Sequence, residues 1–316
     1  MFEILRNRQG AALITVLLVA TLASILAVSL ATHQQVDIRR TANILDNDQA
    51  YILAQGVEAW GIQLLIRDGV GGGDSLDEDW AQGLFPTEVE GGIVSGYLED
   101  AQGRFNINNL EPSGNYYNMA LVQFRFLLEH CELDPDLAYA VADWLDADST
   151  TGLYGAEDDY YLSLDSPYRA ANMLMADPSE LRLVKDIDSE AYVCLSQFVT
   201  AIPERRDIKI NVNTASAVVL ASLEATHNLE KVEAFVEKRP DNGFKDVDNQ
   251  NGDFFMAARG NGLEFNNAKS FLSISSNYFI AHARSSIGRG IIHLESMIYQ
   301  ESPSNKIDVL YRRVNS

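Results

Sequence analysis

The chain has 316 residues, 47% of them apolar, and its 45 Asp and Glu against 24 Lys and Arg give a formal charge of −21. A surface that acidic repels phosphate backbones and anionic headgroups, which excludes nucleic acid as a partner class and makes a divalent cation a natural ligand. The 285 residues after Ala31 suffice for one large or two modest domains with a real core. The first element is the stretch RNRQGAALITVLLVATLASILAVSLATHQQVDIRR, Arg6 to Arg40, which has no Lys, Arg, Asp or Glu between Arg8 and Asp37. Its apolar block, Ala11 to Ala31, is longer than the roughly 7 to 15 apolar residues of a secretory signal. As a helix it spans roughly 30 Å, the hydrocarbon thickness of a bilayer. It reads as a membrane segment, with Arg6 and Arg8 keeping the N-terminus cytoplasmic and everything after it on the far side.

No Pro precedes Pro86 and no Gly lies between Gly10 and Gly56, so the helix is expected to run on to about Arg67, where RDGVGGGDS ends it. From Ala11 it would be roughly 85 Å long, half in lipid or against neighbouring helices and half packed on a globular head. Ile38, Leu45, Ile52, Ala59 and Ile66 recur every seventh residue, with Ala42, Leu53, Trp60 and Leu64 beside them, as a continuous apolar stripe.

Beyond the helix, GGIVSGYLEDAQGRFNI predicts a hairpin of about Ile93–Leu98 and Arg104–Ile107. Near the C-terminus, SNYFIAHARSSIGRGIIHLESMIYQ predicts two strands about a turn at Ser286 to Gly290, and KIDVLYRRV a last strand. Between them lies a helix-rich stretch whose starts are signalled by Asp134 with Pro135, Asp177 with Pro178 and Glu180, Asp188 with Glu190, and Thr214. A sheet that begins before this stretch and finishes after it implies a host domain split by an insert. FNINNL at Phe105 and INVNTAS at Ile210 echo one another. The second resembles the entry to a helix-hairpin-helix module, but AVVLASLEATHNLEKVEAF after it lacks the glycine such a module needs. The asparagines are read as caps and turn ties.

One cluster carries metal chemistry: DWLDADSTTGLYGAEDDYY, Asp143 to Tyr161. Set against the EF-hand pattern, Asp146 takes position 1, Asp148 position 3, Thr150 position 5 and Glu157 position 12, with Thr151 where a glycine belongs. Hard oxygen ligands fit calcium better than zinc, and acidic residues this dense repel one another without a cation. The candidate ligands are Asp146, Asp148, Glu157 and Asp158, the alternative being a solvated acidic turn. A looser second candidate is DVDNQNGDF, with Asp246, Asp248, Asn251 and Asp253, or a plain Asn/Asp/Gly turn. Cys131 and Cys194 both fall outside the membrane and stand as either a disulfide or two buried thiols. No catalytic residue is assigned. The five histidines are scattered outside any HExxH, and no serine sits in GxSxG.

A short Arg-containing leader ending in Gly10, ahead of an apolar helix that continues into a head, resembles the class III leader of type IV pilins and type II secretion pseudopilins. The resemblance implies cleavage between Gly10 and Ala11 by a prepilin peptidase and N-methylation of Ala11. Most such proteins have Glu at the fifth mature position, where this chain has Thr15. That departure, the split head and the acidic loop together resemble the K-type minor pseudopilins, the general secretion pathway protein K family. The family implies an α+β chain: a pseudopilin fold, with a long N-terminal α-helix packed on a small antiparallel sheet, carrying a large inserted helical domain. Its parts would be a leader 1–10, the helix 11–67, a first head portion 68–107, the insert 108–270 and the C-terminal strands 271–316. The implied role is non-enzymatic, at the tip of the pseudopilus in the inner membrane of a Gram-negative bacterium, the head periplasmic and calcium bound in the insert. Implied partners are minor pseudopilins of the I and J types, the major pseudopilin, the inner-membrane assembly platform and the prepilin peptidase, with the outer-membrane channel or the secreted substrate facing the insert. The alternative is a tip minor pilin of a type IV pilus.

Overall fold

In the computed structural model, which describes residues 2–69 and 72–315 with the side chains of 2–11 excepted, one helix dominates the chain. Helix α1 runs from Phe2 to Asp68 without a break. Among the described residues it is the one helix long and apolar enough to cross a membrane, a property of its first half. The side chains at the Gly10–Ala11 junction lie outside the described residues.

After α1 come β1 (Leu84–Val89) and β2 (Gly92–Asp100), an antiparallel pair whose register shifts between Leu84 and Thr87. Pro86, which cannot donate to a ladder, sits at this irregular point on an edge strand, where its missing N–H costs nothing. The expected hairpin partner of β2, Arg104–Ile107, is not there. Phe105–Asn106 (β3) pairs instead in parallel with Val199–Thr200 (β4), closing a helical unit made of α2 (Tyr117–His130), α3 (Leu137–Leu145), α4 (Asp158–Tyr161) and α5 (Ser189–Leu195). The second echo does the same. Ile210–Asn211 (β5) pairs in parallel with Leu272–Ser273 (β6) and encloses α6 (Ala217–Ala221), α7 (Leu229–Val236) and α8 (Asp253–Gly260). Each unit has its own core, the first around Phe105, Phe124, Trp144 and Tyr161, the second around Phe235, Phe244, Phe254 and Phe265.

Of the echoed asparagines, Asn211 ties a local turn as expected, accepting from the Asn213 amide at 3.0 Å, while Asn108 and Asn213 reach far along the chain. Asn108 Nδ2 donates to the carbonyl of Met175 at 2.9 Å, and the Met175 amide donates back to Asn108 Oδ1 at 2.8 Å. Asn213 makes the same two-way clamp on the main chain of Phe244, at 3.2 and 2.7 Å. Both asparagines are sealed from water, so each clamp ties the entry of its unit to a loop far along the chain. Asn108→Ala is expected to cost about 2 kcal/mol, because it orphans a buried donor and acceptor of Met175. Chemical denaturation that shows a loss below about 0.5 kcal/mol would mean the clamp is incidental.

Some helix starts lie where the sequence signals them. Asp188 caps α5 by accepting from the Glu190 and Ala191 amides, and Asp177 forms a capping box with Glu180, although over a 3-10 helix. Thr214 does not start α6. Ser216 caps it, while the Thr214 hydroxyl donates to Asp100 at 2.6 Å. Asp100 is fully enclosed and also accepts from Gln102, Asn211 and Ser276, a node that joins the end of β2 to the second unit.

The chain then returns to the sheet with β7 (Tyr278–Ile287), β8 (Gly290–Glu301) and β9 (Lys306–Asn315), giving an antiparallel order β1-β2-β7-β8-β9. The C-terminal half of α1 lies across one face. Ala50, Ala54 and Val57 pack on Val94, Ala283 and Leu294, and Leu64 and Leu65 pack on Leu98, Phe279 and Ile298. Gly96 permits the approach, since a Cβ there would stand 2.5 Å from a Val57 methyl. This docking face differs from the heptad stripe. Ile38, Leu45, Ile52 and Ile66 are 41–69% exposed. The head seats against Ala50, Ala54 and Val57 and, further along, Leu64 and Leu65, while the residues of the heptad stripe point away.

Candidate metal centre

Helix α3 delivers the first acidic residues at its C-terminal end, and the chain then folds back so that Glu157 opens α4 beside them. The pivot is Asp143, which the sequence reading left out. Its carboxylate accepts from the Gly152 amide at 2.9 Å, and a Cβ on Gly155 would fall 1.8 Å from its Oδ2. Only glycine fits there, so the GLYG segment wraps a buried carboxylate. Asp146 Oδ1 accepts from the Asp148 amide and Asp148 Oδ1 from the Thr150 amide, which curls the intervening loop.

Glu157 is 2% exposed, and neither of its carboxylate oxygens has a hydrogen-bond partner. Burial, followed by the nearby Asp146, Asp143 and Asp148, pushes its carboxyl up to about 7. A buried carboxylate with no donor is rare and costly, and either protonation or a bound cation removes the cost. Asn172 adds to the case. Its Nδ2 donates to the Asp148 carbonyl at 2.6 Å, while its Oδ1 is sealed from solvent and unpartnered. Glu157 and Asn172 thus bring three unpaired acceptor oxygens to the neighbourhood of Asp146 and Asp148, although the carboxylates of Asp146, Asp148 and Glu157 are not gathered within 4.8 Å of one another. All are hard oxygen donors, the set calcium takes. Asp158 is engaged elsewhere, accepting from the Ala170 amide at 3.0 Å and facing Arg169 at 3.5 Å.

The second candidate loop is knit together by its own main chain. Asp253 accepts from the Lys245 and Asp246 amides, and Asp246 accepts from those of Asp248 and Asn249. Asp248 and Asn251 are exposed. Such bonds account for the acidic residues without a cation. Among the described residues, Asp68, Asp74 and Glu78 bring carboxylate oxygens within 4.8 Å of one another. Here too the groups have structural work: Glu78 holds the Ser75 amide and the Trp80 indole, and Asp74 holds the Ser276 amide. Cys131 and Cys194 are joined, with their Cα atoms 5.9 Å apart. Thr15, exposed on α1, donates its hydroxyl to the Ala12 carbonyl at 2.9 Å.

Comparison with known proteins places this architecture. Residues 103–204 and 210–275, the two helical units, each match a family model described as type II secretion system (T2SS), protein K. Type II secretion system protein K of Pseudomonas aeruginosa is 39% identical over 77% of this chain and 76% of its own. The proteins of that name from Pectobacterium carotovorum and Aeromonas hydrophila are 31% and 30% identical, each over 98% of this chain and 97% and 98% of theirs. A solved chain from the crystal structure of the GspK-GspI-GspJ complex of enterotoxigenic Escherichia coli superposes with a TM-score of 0.75 at 26% identity, over 88% of this chain and 99% of that one. The long helix on its antiparallel sheet, the two helical units inserted between β2 and β7, and these likenesses agree: the chain belongs to the type II secretion system protein K family.

Proposed function

We propose that the chain works at the tip of the type II secretion pseudopilus, as the K-type minor pseudopilin, in a structural and non-catalytic role. The observation that carries this reading is the stripe on α1. Beyond the membrane segment, Ile38, Leu45 and Ile52 remain 54–69% exposed, and Ile52 stays so even where the head buries Ala50, Ala54 and Val57 on the opposite face. An apolar seam continuous with a membrane segment is stable in water only against other helices. Minor pseudopilins of the I and J types are the natural occupants, since the similar solved chain comes from a complex with both. In this reading the leader is removed between Gly10 and Ala11, Ala11 is methylated, and the head stands in the periplasm.

Thr15 supports a place at the end of the fibre. An N-terminal ammonium buried among apolar helices needs a carboxylate from the adjacent subunit, and leaving it unpaired costs several kcal/mol. Thr15 satisfies its own hydroxyl within its helix and offers no charge. A subunit that cannot receive another suits the end. Thr15→Glu is expected to change pseudopilus number or length and to lower secretion. Normal fibres and undiminished export would remove the tip assignment.

The insert is proposed to hold calcium through Asp146, Asp148, Glu157 and the Asn172 side-chain oxygen. When bound, the ion neutralises a carboxylate cluster that the fold otherwise holds at a cost. Chelation should lower the stability of the full-length chain by RT ln(1 + [L]/Kd), about 2.7 kcal/mol from a hundredfold excess over Kd. Glu157→Gln should abolish the response to calcium and, in chelator, melt above the parent. Identical melts with and without chelator would sink the calcium reading.

A further inference from the structure

The first helical unit carries a surface that neither its core nor the assembly stripe uses. Leu153 and Tyr154, at the tip of the cation loop, are 77% and 57% exposed. Tyr154 is held with φ at +66°, an uncommon conformation for a bulky residue, with its ring 6.1 Å from that of Tyr139 on α3. Arg125 on α2 lies over the same Tyr139 ring at 5.8 Å, and Val122, one turn earlier on the same face, is also exposed. Loop, α3 and α2 thus present one contiguous strip of apolar and aromatic groups to solvent. Exposed tyrosine and leucine beside a stacked arginine make the composition of a protein-binding hot spot.

The charge around the strip says what fits it. Between Arg125 and Arg169 the sequence has eleven Asp and Glu and no Lys or Arg, and six of the acids remain once the three assigned to the cation and Asp136 and Asp158, which face Arg125 and Arg169, are set aside. A second copy of the chain would bring the same charge and be repelled, and so would an anionic membrane. We propose that Val122, Tyr139, Leu153 and Tyr154 form a docking strip for another protein's segment, one that places an apolar anchor between lysines or arginines. The strip is separate from the helix seam on α1 and is available after the seam is filled.

The test uses the full-length chain in phosphatidylcholine nanodiscs and two fluorescent peptides with one shared Leu/Phe core, flanked by lysines in one and by glutamates in the other. At physiological salt the lysine-flanked peptide should bind at least tenfold more tightly. Leu153→Ser combined with Tyr154→Ser should weaken that binding at least tenfold, whereas Val193→Ser, at an equally exposed apolar residue of the same unit, should leave it unchanged. Both variants should keep the parent melting temperature, because these side chains pack on little. Should the double variant melt early, Leu153→Ser alone, at a position 77% exposed, should still weaken binding at least threefold. Equal affinity for the two peptides, parent-strength binding by the folded variant, or equal losses in the Val193 variant would each overturn the proposal, as would self-association of the chain through this strip.

Discussion

Replacing Arg312 with alanine should destabilise the head by about 3 kcal/mol, one of the two largest effects expected from a change in this chain. Glu58 lies on the docking face of α1 and is 4% exposed. Arg312, on β9, reaches it with two parallel bonds, Nε to Oε2 and Nη2 to Oε1, both 2.8 Å, and Ser296 on β8 adds its hydroxyl. Two edge-ward strands are thereby latched to the helix by one charged fork. Breaking such a pair by removing one partner typically costs about 3 to 5 kcal/mol, because the other charge stays buried. The low end applies because the Arg312 side chain is 40% exposed and water can reach the gap. At about 2 °C per kcal/mol for a chain of this size, the melting temperature should fall by roughly 6 °C. Replacing both Glu58 and Arg312 with methionine should recover most of the loss. A single variant that melts with the parent, or a double variant as unstable as the single, would show that the latch is not what holds β9 to α1.

That latch also shows where sequence patterns stop being informative. Alternation in SNYFIAHARSSIGRG and the Gly-bounded turn locate β7 and β8 because each strand pairs with its neighbour in the chain. Strand β2 pairs with β7, almost two hundred residues later, and nothing local announces that. The glycine and charges after it look like a turn, so Arg104–Ile107 reads as its hairpin partner. Strand β1 is hidden by Pro86, which marks an edge as readily as a break. On α1 the heptad stripe of Ile38, Leu45, Ile52 and Ile66 is the most regular apolar pattern, yet the head takes Ala50, Ala54, Val57, Leu64 and Leu65, and only the first three allow a close backbone approach. The candidate site divides the same way. Glu157 falls at position 12 of a recognised spacing, though nothing in the chain marks it as buried. Asn172 lies fifteen residues downstream with no pattern to mark it, and Asp143 passes for an ordinary helix residue until Gly152 and Gly155 are seen folded over it.

Removing the disulfide should loosen mainly the first helical unit. Cys131 ends α2, Cys194 lies in α5, and 63 residues separate them, so the bond closes a loop containing α3, the cation loop and α4. In the chain-entropy account a closed loop of that length is worth about 4 kcal/mol, by restricting the unfolded ensemble. The second unit has its own core and no disulfide ties it to the first, so the loss should fall mainly on the first. With Cys131→Ser and Cys194→Ser combined, hydrogen exchange should show α2, α3 and α5 losing protection while α6, α7 and α8 keep theirs. The effect should also reach the metal centre, since α3 and α4 present Asp146 and Glu157 from inside the closed loop. Calcium binds only the assembled loop, so a less stable unit must assemble at the ion's expense, and apparent affinity should fall with stability. Equal loss of protection in both units would mean that the two fold as one cooperative block. Unchanged protection in α2 and α5 would mean that the core around Phe124 and Trp144 secures this unit without the covalent tie.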